Sequence, residues 1–157
     1  MNSLNKIIMQ DLITVNNSPN INWHDSRIYG IGFDGANYKL LFDVDIIIDW
    51  KKNANQEYYD VFLAPATLVF ENVWDLSFDI ETWNIVLDIE NVRAINPKAS
   101  KNHPDSLEYE WEMELMQGVI KFKALGFRVF FKDDPKNIPP QDRTVNDRGG
   151  ISFNTSW

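Results

Sequence analysis

Two changes of hydrophobic period divide the chain. Leu4, Ile7, Ile8, Leu12 and Val15 fall at helical spacing before Asn16-Asn17-Ser18-Pro19-Asn20 interrupts them. A short amphipathic N-terminal helix is expected there, with a strand over Ile13 to Val15 as the alternative. From Arg27 onward the period is two. Leu40, Phe42, Val44, Ile46, Ile48 and Trp50 share one face of a long strand, and Asp43, Asp45 and Asp49 share the other with Leu41 and Ile47. Trp74, Leu76, Phe78 and Ile80 alternate with Asp75, Ser77 and Asp79, and Ile85, Leu87 and Ile89 alternate with Val86, Asp88 and Glu90. The most regular run is Leu107 to Leu115, Leu-Glu-Tyr-Glu-Trp-Glu-Met-Glu-Leu, in which four glutamates face away from five apolar side chains.

Val61 to Phe70 departs from this alternation. It carries no charge on either face, so both its faces should be covered, with the N-terminal helix as the expected cover. Pro65 within it has no amide to donate and should mark a bulge, an edge or a turn. Gln117-Gly118 suits a two-residue hairpin turn, which would pair Met116 with Val119 and set Glu114 opposite Lys121 and Glu112 opposite Lys123. After Lys132, Asp133-Asp134-Pro135, Pro139-Pro140 and Gly149-Gly150 read as an irregular tail.

The expected fold is mainly β, an antiparallel meander forming a sandwich or a partly open barrel with a short N-terminal helix. A single β-rich domain would occupy residues 1–132, its strand core about 21–132, followed by an irregular C-terminal tail over 133–157. Phe42, Val44, Ile46, Leu76, Phe78, Leu87, Trp111 and Phe122 should meet in one apolar interior.

Composition narrows the partners. With 157 residues and 44% hydrophobic content the chain can core one domain. Its formal charge of −8, from 23 acids against 15 bases, opposes binding to a phosphate backbone, so no nucleic-acid partner is expected. Cysteine is absent, which removes disulfides and thiolate metal sites and suits a reducing cytosol. No apolar run approaches the ~20 residues of a membrane span, and the first residues lack a signal-peptide pattern, so no membrane partner and a cytoplasmic location are expected.

Catalytic chemistry finds little support. Trp23-His24-Asp25-Ser26-Arg27 is the only ionisable cluster of catalytic flavour, yet neighbours in an extended segment point to opposite faces, so His24 and Asp25 do not become base and orienter by adjacency. Asp25 and Arg27 can face the same way and pair. Two histidines without cysteine or ligand spacing make no metal site, and Asp43, Asp45 and Asp49 lack the glycine a calcium loop needs. Nucleotide and serine-hydrolase motifs are missing, and no cofactor is expected. Trp50, Trp74 and Trp111 read as core, leaving Trp23, Trp83 and Trp157 to make contacts. The acidic strand faces have two readings of equal weight, solubility with edge protection, or binding of a basic partner.

The run Trp23-His24-Asp25-Ser26-Arg27-Ile28-Tyr29-Gly30-Ile31 resembles the "HD-x-x-I/V" opening of small all-β bacterial immunity-type proteins of polymorphic toxin systems. Trp111, the Gly118 hairpin and Ile120-Lys121-Phe122-Lys123-Ala124 are similar to the closing strands of such proteins. Ala64 to Asn72 instead resembles uncharacterised bacterial relatives. The resemblance implies a non-enzymatic protein that binds and blocks a toxin. The leading expectation is therefore a cytosolic binding module meeting a basic protein, with Asp43, Asp45, Asp49, Glu108, Glu110, Glu112, Trp23, His24 and Asp25 as its binding residues and no catalytic residue. A small-ligand-binding β-barrel and a hydrolase using His24 with a distant carboxylate are the alternatives. Oligomeric state is not legible.

Overall fold

The computed structural model describes residues 12–15, 21–52, 59–134, 136–138 and 148–155. Its strands are β1 (Asn22–Asp34), β2 (Lys39–Lys52), β3 (Tyr59–Glu71), β4 (Trp74–Ile80), β5 (Leu87–Ala99), β6 (Leu107–Leu115), β7 (Gly118–Ala124), β8 (Gly126–Phe131) and β9 (Lys136–Ile138), with one 3-10 turn at Gly35–Asn37. All pairings are antiparallel. The sheet runs β4-β7-β6-β5-β1-β2-β3-β8, with β9 also on β3.

This is one sheet wrapped around a single core, and no ladder joins β4 to β8 to close it. Ring contacts prove the curl. Phe70 of β3 meets Trp111 of β6 at 5.4 Å and Phe122 of β7 at 4.7 Å, and Trp111 meets Phe127 of β8 at 5.7 Å, although these strands lie far apart in the strand order. Trp111 also donates its indole N–H to the Ala124 carbonyl at 3.0 Å, so the ring is buried without an orphan donor.

Phe42, Val44, Ile46, Trp111 and Phe122 lie in this core, with Leu76 and Leu87 partly buried against it. Phe78 does not join them. It is 43% exposed and stacks edge-on against the exposed Phe33 at 6.3 Å, because β4 is an edge strand with a partner on one side only. Trp74, read as core from its alternation, is 42% exposed for another reason: Asp75 takes φ +56° at a break in the β4–β7 register, which turns Trp74 to the outer face beside Lys123.

The hairpin register also differs from the sequence expectation. Leu115 pairs with Gly118, so Met116-Gln117 form the turn, Glu112 opposes Lys121 and Glu114 opposes Val119. The slip is two residues, and an even slip leaves every side chain on its own face, which is why the alternation gave no warning. Gly118 explains the choice. Its φ is +146°, and a Cβ there would lie 1.9 Å from the Asp79 carbonyl oxygen of β4.

Pro65 sits inside β3, opposite Asp45. It is tolerated because its carbonyl faces away from β2 and accepts from Lys132 N–H at 2.9 Å, and on that side β8 pairs with β3 only from Ala66 and β9 only up to Leu63, so the missing amide leaves no ladder bond unmade. Residues 63–64 and 66–70 of β3 are buried on both faces, as the uncharged run implied. The cover over Thr67 is the C-terminal segment, whose Asn154 carbonyl accepts its hydroxyl at 2.8 Å. Ile13 forms an isolated antiparallel bridge to Phe127, with Ile13 N–H donating at 2.7 Å and Phe127 N–H donating back at 3.0 Å. Neither the helix nor a strand over Ile13 to Val15 is formed at residues 12–15, which hold this single bridge and a turn at Val15; the remainder of the expected helix lies outside the described residues.

Candidate functional site

Asp43 and Asp45 stand on the outer face of β2, as expected, but they do not meet solvent. They are 0% and 2% exposed, which corrects their reading as an exposed acidic binding face. The cause is the segment 148–155, which lies over β1, β2 and β3. Arg148 donates to both Asp43 oxygens at 2.8 Å and to Asp45 at 3.0 Å. Its guanidinium sits 4.1 Å from the Tyr29 ring centroid, and Lys132 also pairs with Asp43. Ser152 N–H donates to Asp43 at 2.8 Å. Two buried carboxylates thus face two cations and an amide, the condition under which buried charge is tolerated.

This network shifts its members. Burial lowers the Lys132 ammonium below the ordinary lysine value, against its hydrogen bond to Asp43. Burial acts the same way on Arg148, but the hydrogen bonds and charges of Asp43 and Asp45 outweigh it and hold the guanidinium above its usual value. Burial first, then the charge of Asp45, pushes the Tyr29 phenol up to about 12. The side chain of Asp49 lies outside the described residues.

The glutamates of β6 have the opposite fate. Glu108, Glu110, Glu112 and Glu114 remain partly exposed on the outer face. Arg93 of β5 bridges Glu112 and Glu114, the latter at 3.2 Å, and Lys121 reaches Glu112 at 4.0 Å. Asn96 donates to Glu110 at 2.6 Å. At the far end Glu108 accepts from the Trp74 indole, whose ring carries the Lys123 ammonium at 4.2 Å. Two adjoining cavities of about 180 and 250 Å³ open there, sharing Trp74, Lys101 and Glu108.

The near end of the ladder is apolar. Met116, in the turn after Glu114, is 62% exposed, and the β4–β5 loop beside it presents Trp83 at 94% and Ile85 at 86% exposure. The loop is built to hold this shape. Thr82 donates to Asn84 at 3.2 Å, Val86 N–H donates to the same Asn84 oxygen at 3.3 Å, and both ends of the loop are tied to the turn. Glu81 N–H donates to Gln117 O, Met116 N–H donates to Asp88 O, and Asp88 N–H donates to the Gln117 side chain at 2.9 Å. Ile85 adopts φ +54°, a conformation a β-branched residue resists.

His24 and Asp25 come together after all, Nε2 to Oδ2 at 3.5 Å, because Asp25 takes φ +65° within a break in the β1–β2 register and interrupts the alternation. Both are on the surface, with side chains 64% and 39% exposed. Arg27 pairs with Asp88 at 2.8 Å, and that hydrogen bond raises its value above the ordinary arginine range. Trp23 is half-buried against Phe127 at 5.7 Å. No cluster of three or more His, Asp or Glu suited to a metal occurs among the described residues. No helix among them is long and apolar enough to cross a membrane.

Sequence reasoning named the glutamates and Trp83 but missed Met116, Ile85 and Trp74. The first was missed because the expected turn, Gln117-Gly118, kept Met116 in the ladder; in the observed Met116-Gln117 turn an apolar side chain has nowhere to be buried. The chain matches no family model, no curated protein and no solved structure.

Proposed function

We propose that this protein is a non-enzymatic binding module that docks a basic protein partner along β6, anchored at the Trp83–Ile85–Met116 end. The observation that carries the reading is the loop. A Trp and an Ile almost wholly in water, on a loop fixed by its own hydrogen bonds and held in a strained conformation, form a preorganised apolar anchor of the kind found at interface hot spots. The glutamate ladder leads away from it and offers carboxylates to a cationic partner, which the chain's net charge of −8 helps to attract. Ring packing in the interior favours this over the ligand-barrel alternative. The resemblance to immunity-type proteins makes a toxin domain in the cytoplasm one partner of the required charge.

A photo-crosslinking residue at position 83 would capture the partner, and purified partner would then be tested for binding kinetics. Trp83→Ala with Ile85→Ala should raise the dissociation rate at least tenfold, while Glu110→Gln with Glu112→Gln should slow association and flatten its salt dependence. Binding that ignores both pairs of changes would reject the proposal.

A further inference from the structure

The slot on the outer face of β1–β3 has the features of a peptide site. Asp43 and Asp45 are fixed in β2 by ladders on both sides, and Gly30 and Thr67 flank Asp43 in the same row. Gly30 and Gly32 make the floor, since a Cβ on Gly30 would lie 3.0 Å from Ile151 and one on Gly32 would lie 3.2 Å from Phe153. What fills the slot contributes no strand. Residues 151–155 have no regular structure, and the segment is held by one guanidinium, the Ile151 and Phe153 side chains, and hydrogen bonds through Ser152 and Asn154. Arg148 is followed by Gly149 and Gly150 at φ +81° and +89° with open space around them.

We infer that this slot is a recognition site for an extended, arginine-bearing segment of a second protein, and that the chain's own residues 148–155 are its competing occupant in cis. The chemistry of recognition is explicit. A guanidinium spans Asp43 and Asp45 in a forked geometry that a lysine cannot reproduce, its flat face lies on Tyr29, and small residues then let an apolar and an aromatic side chain reach the glycine floor. Without the Arg148 guanidinium, Asp43 keeps only the ammonium of Lys132 and Asp45 only the charge of Arg27 across the β1–β2 ladder, so an incoming arginine restores the group that bridges the two carboxylates. The chain's own segment competes intramolecularly, so an outside segment succeeds when its concentration or additional contacts exceed the effective concentration of that segment. This surface is separate from the β6 face, and the inference does not depend on it.

The probe is a labelled, acetylated peptide with the sequence of residues 147–157, and the acceptor is the full chain carrying Arg148→Gln. Saturable binding is expected, at least tenfold tighter than to the unaltered chain, whose own segment competes. It should be lost when the peptide's arginine is replaced by glutamine or by lysine, and when Asp43→Asn is added to the acceptor. If Arg148→Gln does not fold, the chain with Arg148→Lys, which keeps a charge near Asp43 without the forked contact, serves as acceptor with the same controls. A folded acceptor that fails to bind the peptide, or that binds the arginine and glutamine peptides equally, overturns the inference.

Discussion

The strands β2 and β6 carry the same sequence pattern and put it to opposite uses. Both alternate apolar side chains with carboxylates, and both turn the apolar row inward. On β6 the outward glutamates stay at the surface among Arg93, Lys121 and Asn96. On β2 the outward aspartates are sealed under a segment that arrives a hundred residues later in the chain and brings Arg148 to them. Period two therefore fixes which face a side chain occupies, while the medium on that face is set by whatever tertiary neighbour covers it. A carboxylate in water is a solubility and steering group; the same carboxylate under a guanidinium is part of the fold.

The sharpest way to break this contrast is to remove the cover. Arg148→Met should cost about 3–5 kcal/mol, the range for stripping one partner from a buried pair, measured by denaturant unfolding. Amide exchange at Ser152 should rise with it, since that N–H donates to Asp43. An unchanged midpoint would mean that the segment does not close the slot in solution.

Alkaline pH probes the same region with a smaller effect. Tyr29 keeps its proton in the folded state up to about 12, whereas a tyrosine in an unfolded chain loses it near 10. A folded-state value raised in this way contributes stability that is complete below about pH 10 and is lost as pH climbs toward 12. The loss should be on the order of 2 kcal/mol, and Tyr29→Phe should remove it. A pH profile unchanged by Tyr29→Phe would assign the alkaline transition elsewhere.

On the β6 side, the loop at its head gives a change of opposite sign. Ile85→Gly should stabilise the protein by about 1 kcal/mol, because φ +54° strains isoleucine and its side chain lies in water. Trp83→Ala should shift stability by no more than about 0.5 kcal/mol, as a residue that serves a partner rather than the fold. A large loss from Trp83→Ala would return that residue to a structural role.

Much of the fold was legible because strand periodicity is local. The apolar rows through Phe42, Val44 and Ile46 and through Trp111 were readable, and so was the doubly covered run around Leu68. What escaped detection was non-local. The hairpin register was decided by how closely β4 approaches Gly118, Phe78 is exposed because β4 has one neighbour, and Trp74 is turned outward by the positive φ of Asp75. The His24–Asp25 contact required a positive φ that no alternation rule anticipates. The site was half legible: the glutamates announce themselves, whereas the burial of Asp43 and Asp45 depended on where Arg148 would land.

The most direct test sets one acid from each strand side by side in denaturant unfolding, Asp43→Asn against Glu112→Gln. Asp43→Asn breaks a buried network with Arg148, Lys132 and Ser152 and should cost about 3 kcal/mol or more. Glu112→Gln loosens exposed pairs with Arg93 and Lys121 and should cost ~0.2–1 kcal/mol. Equal losses, or a larger loss from Glu112→Gln, would contradict the assignment of one acidic row to the fold and the other to the surface.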